Sequence, residues 1–315
     1  MLWRAPVNRV FIGSGTIIVM KKYPVHHYTF RNMKQIIFCL TLTLLFFAVS
    51  AQKFHADLFA GIANYQGDLQ GKRFTLSQSQ PAIGLGTSYD LTNKFILRAG
   101  FTYGKVAGND KKNTTAKGIE FRNLNFKSVV TELHLALEYN LLDLSYRDLS
   151  PYAFAGVAAY HFNPYTTDVS GNKVFLKPLS TEGQGLAEYP DRKPYNLTQF
   201  AIPFGTGLKF MVTDNLQVGL EIGLRKLFTD YLDDVSMNYV DSATLFNARG
   251  AQSVGLAYRG DEVGGGSTYP AEGAQRGNPK YKDWYYFSGL RISYRLNSNR
   301  SGKGIACPAK AHTVY

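Results

Sequence analysis

Eight stretches of this chain alternate apolar and polar residues with period two. That period sends successive side chains to opposite faces of a strand, so each stretch has one apolar and one polar face. In the segment Lys94 to Tyr103, one face carries Phe95, Leu97, Ala99, Phe101 and Tyr103, and the other Lys94, Arg98, Gly100 and Thr102. Thr131 to Tyr139 repeats the pattern, with Leu133, Leu135, Leu137 and Tyr139 opposed to Glu132, His134 and Glu138. Two folds satisfy such strands. A soluble sandwich buries the apolar face and wets the charged one, whereas a closed membrane barrel turns the apolar face to lipid and the charged face inward.

The N-terminal region favours the second solution. Met33-Lys34 is followed by a 14-residue apolar run, Ile36 to Val49, and then by Val49-Ser50-Ala51. A basic start, an apolar stretch and a small-residue site in that order form a secretory signal peptide, assigned to residues 33–51. The run is shorter than the roughly 20 residues of a spanning helix. Cleavage is expected after Ala51, and no Cys follows to signal lipidation. Residues 1–32, basic and without acids, lie upstream of this signal and are expected to be a mis-assigned start.

Removal of the first 51 residues leaves 264, enough for one large domain. Six Lys or Arg and no acid leave with them, so the net charge falls from +12 to +6. With no Lys/Arg-rich block, no nucleic-acid partner is expected. Cys39 lies in the signal and only Cys307 remains, which excludes an internal disulfide. A barrel, whose strands pair all round, needs none.

The strands are expected at Lys53–Tyr65, Ala82–Tyr89, Lys94–Tyr103, Leu124–Asn140, Pro151–His161, Thr198–Val212, Leu216–Phe228 and Trp284–Leu296. Their connections run long, short, long, medium, long, short, long. That is the rule of outer-membrane barrels, with short periplasmic turns and longer external loops, and an even strand count puts both barrel termini in the periplasm. The expected fold is therefore an all-β, transmembrane antiparallel barrel of eight strands over residues 52–296, in outer-membrane lipid, with a C-terminal tail at 297–315. The loop from Thr229 to Asp283 is long enough to hide a further hairpin, and Ser253 to Tyr258 reads as one short strand above the membrane.

By parity the interior gathers Arg98, Glu132, Glu138, Lys209, Glu221, Arg225, Arg291 and Arg295. Eight strands enclose a space that side chains nearly fill, and ions there must pair. Three acids and five bases form one network, with water or His134 taking up the excess, so a plugged barrel is expected. Glu132, His134, Glu138 and Arg225 are residue types that acid–base catalysis also uses. No nucleophile sits at a recognisable spacing from them, and a structural role is the expectation.

No hydrolase elbow, phosphate loop, zinc helix or paired-Cys motif is present. Gly100 to Gly104 imitates a nucleotide loop but lies within a strand. Asp230, Asp233 and Asp234 lack full calcium-loop spacing and read as a solvated acidic loop. His161, near the outer rim, carries a weak hydrolase signal. No cofactor, metal or enzymatic activity is expected.

Four strings carry a resemblance. They are Asn64-Tyr65-Gln66-Gly67-Asp68-Leu69, Pro151-Tyr152-Ala153-Phe154-Ala155-Gly156-Val157, Ile202 to Lys209, and Gly219 to Val235 ending Asp230-Tyr231-Leu232-Asp233-Asp234-Val235. In this order the chain resembles the PorG-like outer-membrane barrels of Bacteroidota, over about Gln52 to Leu296. The resemblance implies a non-enzymatic component of the type IX (Por) secretion system, linked to gliding motility in some species, that docks periplasmic ring proteins to the outer membrane. On that reading Asp90–Asn93, Leu141–Ser150 and Thr213–Asn215 meet the ring, with Asp143, Arg147 and Asp148 as candidate docking residues. Asn297–Tyr315 departs from the expected end at an aromatic-rich last strand. The alternative function is a surface binding or passive transport barrel using its long external loops, Val106–Asn123, Phe162–Leu197 and Thr229–Asp283.

Overall fold

A computed structural model describes residues 53–296, apart from 73, 114–118, 145 and 265–267. The expected upstream extension (1–32), signal peptide (33–51) and tail (297–315, with Cys307) lie outside these residues.

Among the described residues there are ten strands: β1 Phe54–Gln66, β2 Gln80–Asp90, β3 Phe95–Asn109, β4 Asn125–Asn140, β5 Leu149–Phe162, β6 Tyr165–Thr167, β7 Lys173–Phe175, β8 Thr198–Met211, β9 Leu216–Leu227 and β10 Trp284–Arg295. Eight of them form a closed antiparallel barrel in the order β1-β2-β3-β4-β5-β8-β9-β10, with β10 pairing back onto β1. The barrel strands are 11 to 16 residues long, enough to cross a bilayer at barrel tilt. β6 and β7 are a small hairpin above the barrel.

Period-two alternation becomes an apolar exterior. Ile292, Leu58, Leu85, Phe101 and Leu133 are successive cross-strand neighbours around one side, and all five are exposed. Val157, Phe200, Leu220 and Leu290 continue the band. Phe200 is 73% exposed, Leu85 66% and Leu133 65%. A continuous apolar belt of this size is untenable in water and is what a lipid-facing wall requires. The fold is a transmembrane barrel.

Three short turns (91–94, 141–148 and 212–215) stand at the same end as the first and last described residues. The long connections (67–79, 110–124, 163–197 and 228–283) stand at the other end, where they build a cap. Helices α1 Ser242–Arg249 and α2 Ala251–Ala257 belong to the cap. The segment 253–258, expected as a strand, is therefore mostly helix: the Asp241 carboxylate caps α1 by accepting from the Thr244 N–H at 2.7 Å, and α2 follows after Gly250. The loop adds no barrel hairpin; among its described residues its one bridge joins Asn238 to Gln275. The expected loop after Tyr103 is also corrected, because β3 and β4 stay paired up to Asn109–Asn125. The extension buries Val106, Phe126 and Val130 in the core beneath the cap.

Candidate functional site

The barrel interior is filled by ion pairs. Arg98, Lys209 and Arg291 meet Asp57, Glu138 and Glu221, three bases against three acids. Glu138 takes Arg98 at 3.2 Å, Arg291 at 3.1 Å and the Lys209 ammonium. Glu221 takes Arg98 at 2.9 Å and the Tyr152 hydroxyl at 2.8 Å, and Asp57 takes Arg291 at 2.7 Å. One layer toward the cap, Glu132 accepts two bonds from Arg225, both 2.9 Å, and one from the Tyr285 hydroxyl at 2.7 Å. His134 Nδ1 stands 3.2 Å from the same carboxylate. Bidentate guanidinium pairing with further donors is the geometry that repays ion burial.

Seven of the eight interior residues expected from parity lie in these two layers. Arg295 is separate: it pairs with Asp90 at 3.4 Å near the short-turn end, where His55 also reaches Asp90 at 2.9 Å. Asp57 and Asp90 complete the charge balance that water or His134 was expected to supply. Sequence parity missed Asp57 because β1 carries apolar residues on both faces, Leu58 and Ile62 outward and Phe59 and Ala63 inward. Its signal was position: Asp57 shares parity with His55. Beside this network Gly84, Gly86 and Gly100 line a cavity of about 40 Å³, room for a few waters. A Cβ on Gly100 would stand 2.9 Å from the His134 ring, so the glycine is what seats that ring.

The cap closes the mouth with aromatic rings and buried acids. Phe162, Tyr195 and Tyr231 stack in sequence, at 6.1 Å and 10° and then 4.9 Å and 9°. The Asp230–Val235 string is its centre. Leu232 is fully buried, and Asp230, Asp233 and Asp234 are 2%, 1% and 0% exposed. The expectation of a solvated acidic loop is thus overturned; segments distant in sequence fold over it. Asp234 accepts from the Thr181 hydroxyl at 2.6 Å and the Tyr195 hydroxyl at 2.7 Å. Asp233 accepts from the Tyr65 hydroxyl. Arg276 joins Glu182 at 2.9 Å to the Asp234 carbonyl at 2.6 Å, and Glu182 accepts the Ser236 and Met237 N–H groups at 2.9 and 3.0 Å. Burial pushes the carboxyl of Asp234 up to about 6 and that of Asp230 up to about 7.

The candidate docking residues lie on the β4–β5 turn. The Asp143 carbonyl accepts the Tyr146 and Arg147 N–H groups at 3.2 and 3.1 Å. Its carboxylate accepts from the Asn93 amide at 3.1 Å, which ties this turn to the β2–β3 turn. Arg147 and Asp148 are exposed, as is Tyr146 at 86%. His161 Nδ1 lies 2.9 Å from the Thr198 hydroxyl on the exposed face. Among the described residues no three His, Cys, Asp or Glu side chains are disposed to hold a metal ion.

A family model described as "Domain of unknown function (DUF6089)" matches residues 33–246. No curated protein matches the chain. Among solved structures, the chain is similar to Neisserial surface protein A (NspA), with 10% identity, a TM-score of 0.38, and 77% of this chain and 96% of that one covered. It is similar to the outer membrane protein OprG from Pseudomonas aeruginosa, with 10% identity, a TM-score of 0.35, and 78% and 97% covered. A third is a major outer membrane protein from Thermus thermophilus, with 14% identity, a TM-score of 0.36, and 77% and 98% covered. The barrel assignment stands on the closed strand order itself.

Proposed function

The chain belongs to the DUF6089 family, and from that premise we propose that it is a non-enzymatic outer-membrane barrel of the type IX secretion machinery, docking periplasmic ring proteins to the membrane. The observation that carries the reading is the filled barrel. Its lumen is occupied by ion pairs from Asp57 to Arg225 and its mouth by the aromatic cap, which disfavours passive transport. The short-turn end, by contrast, presents exposed charge on a braced turn. The resemblance of Gly219–Val235 and its companion strings to PorG-like barrels supplies the identity of the machine.

On this reading a cleaved signal peptide exports the chain, both barrel termini face the periplasm, and the cap faces outward. The interior ions serve stability. The test is the secreted proteome of a deletion strain against its parent. Retention of proteins carrying type IX sorting domains, reversed by complementation, supports the assignment. Unchanged export leaves only the fold and removes the machine from the account.

A further inference from the structure

Four carboxyls converge beneath the cap, beyond the lipid-facing band: Asp68, Asp230, Asp233 and Asp283. Asp68 accepts the Asn278 N–H at 3.1 Å. Asp233 accepts the Val235 N–H at 2.9 Å and the Tyr65 hydroxyl. Asp283 accepts the Leu232 N–H at 2.9 Å and the same hydroxyl at 3.4 Å. Asp230 is 2% exposed. The Ser236 hydroxyl is the one weak donor near its carboxyl oxygens, which make no well-formed hydrogen bond. A buried carboxylate so poorly supplied with donors is among the costliest groups a fold can hold, and a protonated carboxyl is far cheaper.

The bases near the cluster are engaged elsewhere. Arg122 holds Asp110 at 2.7 and 2.8 Å, Arg276 holds Glu182 at 2.9 Å, and exposed Lys282 donates to the Pro279 carbonyl at 3.0 Å. The other titratable groups facing it, Glu182, Tyr65, Tyr160 and Tyr195, bring no positive charge.

We propose that the cluster is a proton-held latch: with its acids neutral it pins residues 229–236 over the barrel mouth, and their ionisation releases that strap. Burial raises all four carboxyls above the ordinary Asp range, Asp230 to about 7 and Asp233 and Asp283 well above it. The closed cap therefore binds more protons than an open one, and closure weakens as pH rises from the ordinary Asp range through the raised values of the cluster.

The experiment is hydrogen exchange on the full chain in phospholipid vesicles, with rates ratioed to the unprotected chain at each pH. The reporters are the amides of Leu232 and Val235, which bond to the cluster. Between pH 6 and pH 9 their protection should fall at least tenfold while the Leu133 and Leu220 amides in the wall hold theirs. The variant D68N/D230N/D233N/D283N, neutral at every pH, should keep cap protection throughout. Should it fail to fold, D230N alone gives up only the weak Ser236 contact and should move the transition to higher pH. Flat protection in the wild type overturns the proposal. So does loss of protection at pH 6 on removing calcium with a chelator, because a cation and not a proton would then hold the cluster.

Discussion

Glu138 receives three cations, Arg98, Lys209 and Arg291, on a fully buried carboxylate. Removing its charge strands three bases in the lumen, where breaking a buried pair costs about 3–5 kcal/mol. Glu138→Gln should therefore lower the urea midpoint of the vesicle-inserted barrel more than Glu221→Gln, since Tyr152 stays bonded to the residue at 221. Adding Lys209→Met to Glu138→Gln should recover part of the loss by removing one stranded cation. An equal or reversed order of the single variants would deny Glu138 its place as the hub. These interior residues were legible in the sequence because parity on β4, β8, β9 and β10 is unambiguous: Glu132, Glu138, Lys209, Glu221, Arg225 and Arg291 alternate cleanly with Leu, Ile, Val and Phe. What parity cannot give is the pairing, because Arg291 and Asp57 are brought together only when β10 closes on β1.

Closure demands sharp curvature of single strands, and Gly–Gly pairs supply it. Gly205 faces Gly223 across β8 and β9, and Gly61 faces Gly289 across β1 and β10. A Cβ on Gly205 would stand 2.2 Å from the Ile222 carbonyl oxygen and 2.7 Å from the Gly223 Cα, both backbone atoms. Gly205→Ala should thus cost about 1–3 kcal/mol of barrel stability. Gly219→Ala is the control, with its closest atom at 3.1 Å, and should cost clearly less in the same unfolding assay. At the opposite extreme stands the β4–β5 turn, whose Arg147 and Asp148 side chains are exposed. Reversing charge at Asp143, Arg147 and Asp148 should leave insertion and the folded-band shift on gels intact while weakening co-purification of the ring proteins. Undiminished co-purification would refute the docking role of that turn. Among elements, the strands were readable and α1 and α2 were not. Ser253 to Ala257 alternates like a strand, and the helix it forms starts after Gly250 with no side-chain cap to announce it.

At the scale of the molecule, a wall whose strands pair all round shares its main core with the cap, which adds a small apolar cluster around Leu245. The wall was legible because its periodicity and its loop lengths are local properties of the sequence. The cap was not, because its contacts join residues far apart: Tyr65 meets Asp233 across 168 positions and Arg276 meets Glu182 across 94. The wall's ladder closes without the helical part of the cap, so that part should be removable. Asn238 and Gln275 already face each other as a bridge, and excising residues 239–274 with a two-glycine joint turns that bridge into a hairpin with less loop to close. The shortened chain should insert and show the folded-band shift on gels. The excision removes the Arg259 bonds to the Thr166 hydroxyl at 3.1 Å and the Thr167 carbonyl at 2.9 Å, so segment 163–197 should become more sensitive to external protease. If the periplasmic turns do the work, this barrel should still restore export to a deletion strain at close to the wild-type level. A barrel that inserts and yet fails to restore export would move the function to the external loops and favour a surface-binding role.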